Sequence, residues 1–290
     1  MQISKLQYFY YEIGEFSNIE QRSLEQTIDL IDSYPWEQQR NHVAIGLTGP
    51  SITIEGDSGK FLKIGLYYDG KFMLYLLNGR QQLFSKVADT LDAAKQVVLD
   101  FYNDRPLEPD FVKYRQWVYK PSRHFVTKEF GYRFDIKRVF LHLGFPVGFV
   151  FLVLFPLLYL DKIPVTVSAV IALLFVVLIG GVKFFLLFNY YRFSRDLYLN
   201  LSRGIDTFAY GTTGAVKQYR KQDIEWIKEY ANQRSRSPWN DCYVYVIQMK
   251  DGSTLKLTNL LISSWVFGSK FPEHEIQVMN KFIPTVSSCR

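Results

Sequence analysis

Two apolar runs separated by a short polar turn constrain this chain more than any other feature. Val139 to Leu160 reads VFLHLGFPVGFVFLVLFPLLYL, 22 residues without a formal charge, and Ile163 to Val182 reads IPVTVSAVIALLFVVLIGGV, 20 more. Each matches the roughly 20 residues a helix needs to cross a hydrocarbon core. Neither has the polar face of a surface helix. The pattern predicts a transmembrane helical hairpin over 139–188, with helices at 139–160 and 163–188. Pro146, Pro156 and Gly180–Gly181 are tolerated in a bilayer, where neighbouring helices satisfy freed backbone groups. Pro164 suits a first helical turn, and Asp161–Lys162 becomes the far-side turn.

Basic residues set the orientation. Lys120, Arg123, Lys128, Arg133, Lys137 and Arg138 precede the first run; Lys183, Arg192, Arg195 and Arg203 follow the second; the turn holds Lys162 alone. The positive-inside rule then places both termini in the cytoplasm, as for an inner-membrane protein crossed twice. Arg133, Lys137, Arg138, Lys183, Arg192 and Arg195 are the expected membrane-edge residues, Lys183 by snorkelling, with His142 interfacial. The net charge of +6 is thus assigned to membrane edges, and a nucleic-acid binder, which needs a concentrated basic face, is disfavoured. No charged segment, apolar core and small-residue cleavage site open the chain, so a cleaved signal peptide is not expected. Cys242 and Cys289 stand far apart with no CxxC spacing, which argues against a zinc site or disulfide framework and for a reducing compartment.

Residues 1–119 read as an α+β domain. ISKLQYFYYEI (3–13) is strand-like, and SNIEQRSLEQTIDLIDSY (17–34) places Ile19, Leu24, Ile28 and Ile31 near helical spacing. SITIEGDSGKFLKIGLYY and KFMLYLLN flank Asp69–Gly70, a hairpin signal. LDAAKQVVLDFYN (91–103) carries Ala94, Val97, Val98 and Phe101 on one helical side. GLTGPS (46–51) lacks the spacing of a phosphate loop. His42 has no second ligand at metal spacing, and Asp29/Asp32 reads as a solvated helix face. The stretch 120–138 is a basic juxtamembrane linker.

Residues 196–284 read as short strands, DLYLNLSRG, IDTFAYG, AVKQYRKQDIEWIKEY, CYVYVIQMK and STLKLTNLLI, with Asp251–Gly252 turning the last hairpin. PEHEIQVMNKFIP (272–284), with Pro272 in a first turn and Ile276, Met279 and Phe282–Ile283 as a stripe, predicts a closing helix. LSRGIDTFAYG, KQDIEWIKEY and RSRSPWNDCYVYVIQMKDGSTLKLTNLLI resemble bacterial membrane-anchored proteins that carry a PH-like domain after a transmembrane hairpin. The resemblance covers about 135–284. It implies a seven-stranded barrel capped by a helix and a binding role. The expected fold class is therefore an α+β membrane protein: an N-terminal α+β domain, a two-helix transmembrane hairpin and a C-terminal PH-like β-barrel capped by a helix.

Loop NQRSRSPWND (232–241) is the candidate contact loop, with Arg234 and Arg236 meeting anionic lipid or a partner and Trp239 anchoring. The opposing reading is a solvated loop with Trp239 tucked onto the barrel. No catalytic, cofactor-binding or metal-binding residue is assigned and no cofactor is expected. The function read from these features is a non-enzymatic, membrane-anchored binding protein for a protein partner. One specific version is an immunity protein neutralising a bacterial toxin; a lipid-surface scaffold and a membrane-bound hydrolase are the alternatives. A homodimer through Gly180–Gly181 or Gly144/Gly148 stays open.

Overall fold

The computed structural model describes residues 1–41, 46–115, 118–144, 148, 166–167, 170, 174, 180–234 and 237–289. They form two compact units: Met1–Glu129 with Ser202–Ile205, and Phe130–Leu201 with Asp206–Arg290.

The first unit is built on one antiparallel sheet. Its strands are β1 (Gln2–Gln7), β2 (Ser17–Arg22), β3 (Ser51–Glu55), β4 (Phe61–Leu66), β5 (Phe72–Leu77), β6 (Leu83–Ala88) and β7 (Val112–Lys113), in the order β2-β1-β3-β4-β5-β6-β7. Side chains alternate across a strand, so Ile52 and Ile54, Leu62 and Ile64, and Leu74 and Leu76 share one face. There they pack with helices α1 (Leu24–Ser33) and α3 (Leu91–Tyr102) through Ile31, Ala94 and Val98. A short helix α2 (Trp36–Arg40) lies between α1 and β3. Residues 17–34 are not one helix. Ser17–Arg22 pairs with β1, and Ser23 then caps α1 in a reciprocal box with Gln26, which satisfies orphan N–H groups of the first turn. At the tip between β4 and β5, Asp69 and Gly70 both take positive φ, as a tight primed turn requires.

The second unit holds two four-stranded sheets. The first contains β8 (Gly131–Arg133), β9 (Leu197–Asn200), β10 (Thr207–Thr212) and β11 (Ala215–Arg220) in the order β11-β10-β9-β8. The second contains β12 (Ile224–Ala231), β13 (Tyr243–Met249), β14 (Thr254–Thr258) and β15 (Ile276–Asn280) in the order β14-β13-β12-β15. Strand β13 is buried on both faces. Tyr245 and Ile247 join Leu199, Phe208, Ile227 and Phe267 in one cluster. Val244 and Val246 join Leu186, Leu187 and Tyr190 of helix α4 (Gly181–Ser194) in another, against which Val139 and Leu143 of the helical stretch 136–144 pack. Gly211 is required where it stands: a Cβ there would lie 2.2 Å from the carbonyl oxygen of Ala215.

Three expectations are corrected. Among the described residues no helix is long and apolar enough to cross a membrane. The transmembrane hairpin over 139–188, the inner-membrane multi-pass placement and the membrane-protein fold class are therefore not supported. Much of both apolar runs, including Pro146, Pro156, Asp161, Lys162 and Pro164, lies outside the described residues. Helix α4, which begins at the end of the second run, sends Leu186, Leu187 and Tyr190 into the core of the second unit. Apolar character alone does not distinguish burial in lipid from burial in protein. The closing helix at 272–284 is replaced by β15, which pairs in parallel with β12; the helix of this region is α5 (Ser264–Lys270), just upstream. Finally, the seven-stranded barrel implied by the resemblance is replaced by eight strands in two four-stranded sheets, with β8 and β15 each at a sheet edge.

Candidate functional site

The expected contact loop follows from local hydrogen bonding. The Asn232 side chain accepts from the Arg234 N–H and donates to Ser237 Oγ, and the Ser237 N–H donates to the Arg234 carbonyl. Trp239 is only 8% exposed. Its Nε1 donates to the Phe282 carbonyl at 2.8 Å and its ring meets Phe282 edge-on at 5.3 Å. The Arg234 guanidinium lies 5.9 Å from the same Phe282 ring. Trp239 is thus an internal clamp, and Arg236 lies outside the described residues.

The six expected edge cations are dispersed over the second unit. Arg133 stands over the Tyr198 ring at 5.1 Å, Arg138 donates to the Leu261 carbonyl, and Arg195 pairs with Asp196 at 3.0 Å. Lys137 and Arg192 are exposed. Lys183 does not snorkel. It is buried, and its Nζ donates to Asp241 Oδ2 at 2.9 Å.

Around that pair the structure assembles a polar cluster that sequence spacing did not suggest. His142 Nδ1 lies 2.6 Å from the same Asp241 oxygen; Asn259 Nδ2 donates to the Asp241 carbonyl at 2.7 Å and lies 3.3 Å from His142 Nε2. Nδ1 is thus the ring nitrogen that meets the carboxylate, and Nε2 the one that meets Asn259. Burial works against the Asp241 charge, but the hydrogen bonds from His142 and Lys183 outweigh it and hold the carboxyl below its ordinary range. The chemistry stops there. Nε2, the atom a nucleophile would need as its base, faces an amide. Cys242 Sγ lies 3.9 Å from Asp241 Oδ1, and burial pushes its thiol far up, away from thiolate. Cys289 is likewise buried, free and pushed up by its burial. The cluster ties the start of β13 to α4 and to the stretch 136–144.

The first unit buries a second set of cations. Lys5, Thr53, Lys63 and Tyr75 are direct neighbours across β1, β3, β4 and β5, on the sheet face opposite the helices. Lys63 Nζ donates to Gln7 Oε1 (3.0 Å), the Leu47 carbonyl (2.8 Å) and the His124 carbonyl (2.7 Å). Burial, with Lys5 nearby, pushes Lys63 down to about 7. Both ammonium groups lie over the Phe16 ring, Lys5 at 4.7 Å and Lys63 at 5.3 Å from its centre. Among the described residues there is no group of three or more His, Cys, Asp or Glu side chains placed to hold a metal ion.

An open feature among the described residues of the second unit is a groove of about 580 Å³. It is lined by Asn189 and Arg192 of α4, Tyr210 of β10, Lys256 of β14, and Val286 and Ser287 of the C-terminal tail. The tail is held there by Asn189 Oδ1, which accepts from the Val286 N–H, and by Lys256 Nζ, which donates to the Val286 carbonyl. Arg192 was named from sequence as a membrane-edge residue. Lys256 was not, although the alternation of STLKLT places it opposite the buried Leu255 and Leu257.

No curated protein and no solved structure matches the chain. A family model described as a PH domain matches residues 131–270. The match begins at β8, takes in both sheets as far as α5 and leaves out β15. A PH-like domain is thus recognised over residues 131–270 of the chain.

Proposed function

We propose that the protein is a non-enzymatic binding protein that recognises a protein partner through its PH-like domain. The match of residues 131–270 to the PH domain carries this reading, because domains of this class commonly act as binding or scaffold modules. Two features of the second unit support it. The His142–Asp241 pair is closed off by Asn259, and Cys242 is held as a thiol. A hydrolase would need a nucleophile within reach of a base. The narrower version, in which the partner is a toxin and this chain its immunity protein, rests on no observation of the structure.

The test is in-cell crosslinking of the tagged full chain, followed by purification and mass spectrometry against a tag-only control. The expected result is one enriched protein that re-forms a stoichiometric complex with the full chain when both are purified. Repeated recovery of chaperones alone, or substrate turnover lost on replacing His142, overturns the reading.

A further inference from the structure

Building on a protein partner as the ligand, we infer that the groove beside α4 receives an acidic, amphipathic segment of that partner. Its carboxylates would meet Arg192 and Lys256, and its apolar side would lie on Phe185 and Phe188. Charge complementarity decides the occupant. The groove lining holds two cations and no carboxylate. Arg192 is exposed, and no described residue pairs with it. Lys256 spends one of its three N–H donors on the Val286 carbonyl, and Asn189 uses its oxygen on the tail, which leaves its amide N–H groups to donate. Every such donor suits an oxygen anion.

The apolar half comes from helix geometry. Phe185, Phe188 and Arg192 stand at i, i+3 and i+7 of α4 and so share one face. Phe185 is 55% and Phe188 59% exposed, although the same helix buries Leu186, Leu187 and Tyr190 on its other side. A run of large exposed aromatics leading into a basic groove is unusual on a surface with no partner. A free inorganic anion would use the groove and leave the phenylalanines idle; an acidic amphipathic segment uses both.

The test measures fluorescence polarisation of a labelled Glu/Leu amphipathic peptide and its Gln/Leu counterpart with the full chain. The Glu/Leu peptide is expected to bind at least about tenfold tighter, since a steering field and facing charges act on it alone. Arg192→Glu should weaken it about tenfold and Phe188→Ser about threefold. Lys137→Glu, an exposed charge reversal elsewhere on the unit, should stay within about twofold. Arg192 is exposed and makes no hydrogen bond or ion pair with a described residue, so its reversal should leave the fold intact. Equal binding of the two peptides overturns the inference. So does a Lys137→Glu effect as large as that of Arg192→Glu, which would mean diffuse net charge. Arg192-dependent binding to anionic vesicles without peptide binding overturns it as well. If a crosslinked partner binds the Arg192→Glu and Lys256→Gln variants as tightly as the wild type, the groove assignment fails and the binding function stands. If no partner is ever found, the functional reading fails while the peptide result stands or falls by itself.

Discussion

Each unit of this molecule buries lysines, and Lys183 and Lys63 solve the same electrostatic problem differently. Lys183 in the PH-like unit is met by a carboxylate, Asp241, which His142 also approaches. Lys63 in the N-terminal unit has no carboxylate in contact; three neutral oxygens take its three N–H groups. Burying a charge costs several kcal/mol unless it is paired or fully hydrogen-bonded. A carboxylate partner repays this with a second charge that must itself be kept paired. Dipoles repay it without creating a second ion, but they leave the ammonium easier to deprotonate. Each solution therefore fails in its own way when perturbed.

Removing the counter-ion should be the more damaging change. Asp241→Ala leaves Lys183 buried and unpaired, and we expect a loss of about 3 kcal/mol in urea unfolding. Adding Lys183→Met should recover most of that loss, because no stranded charge remains. If the double variant is no more stable than Asp241→Ala, the ion-pair account is wrong.

Lys63→Met should cost about 2 kcal/mol by orphaning buried acceptors. No single second substitution should rescue it, because two of the three acceptors are main-chain carbonyls. Rescue by a change at Gln7 alone would show that the side-chain contact dominates.

Acidity separates the two sites next. The unfolded chain holds the Lys63 proton up to about 10.5, but the native unit holds it only to about 7. Between these values the unfolded state binds more protons, so stability should climb with pH by at most about 1.4 kcal/mol per unit. Lys63→Met should flatten that rise. At Asp241 the sign is the same but the window lies at low pH: its contribution is present above the ordinary carboxylate range and is lost as pH falls through its lowered value. Unfolding series at the two pH extremes would reveal a site assigned to the wrong class.

The smallest effect is expected beside Asp241. Trp239→Phe keeps the ring against Phe282 but removes the Nε1 donor to its carbonyl, which is worth about 1 kcal/mol. No change in the unfolding midpoint would mean that the loop is held by the ring contact alone.

Lys183 and Lys63 also mark where sequence reading stopped. Local signals were legible: the Asp69–Gly70 turn, the apolar side of α3, and the strand alternation from Leu197 to Thr258 are all fixed within a few residues of themselves. Lys183 was not, since its partner lies 58 residues away and its neighbours are apolar; it was read as a residue at a membrane edge. Ile276–Asn280 was read as helix because Ile276 and Met279 sit three apart. Its strand conformation is set by pairing with β12, far upstream. The groove joins α4, two strands and the tail, so no local window contains it. Trp239 looked like an anchor because a Trp beside two arginines has the same composition whether it faces in or out.

The two cysteines have a practical consequence. Cys242 and Cys289 are both buried and both resist ionisation, so maleimide and spin-label reagents should pass them by in the native state. A single cysteine placed at an exposed position, such as Lys137 or Phe188, would then carry a dye or nitroxide without any need to strip the natural thiols. The chain comes ready for site-directed spectroscopy.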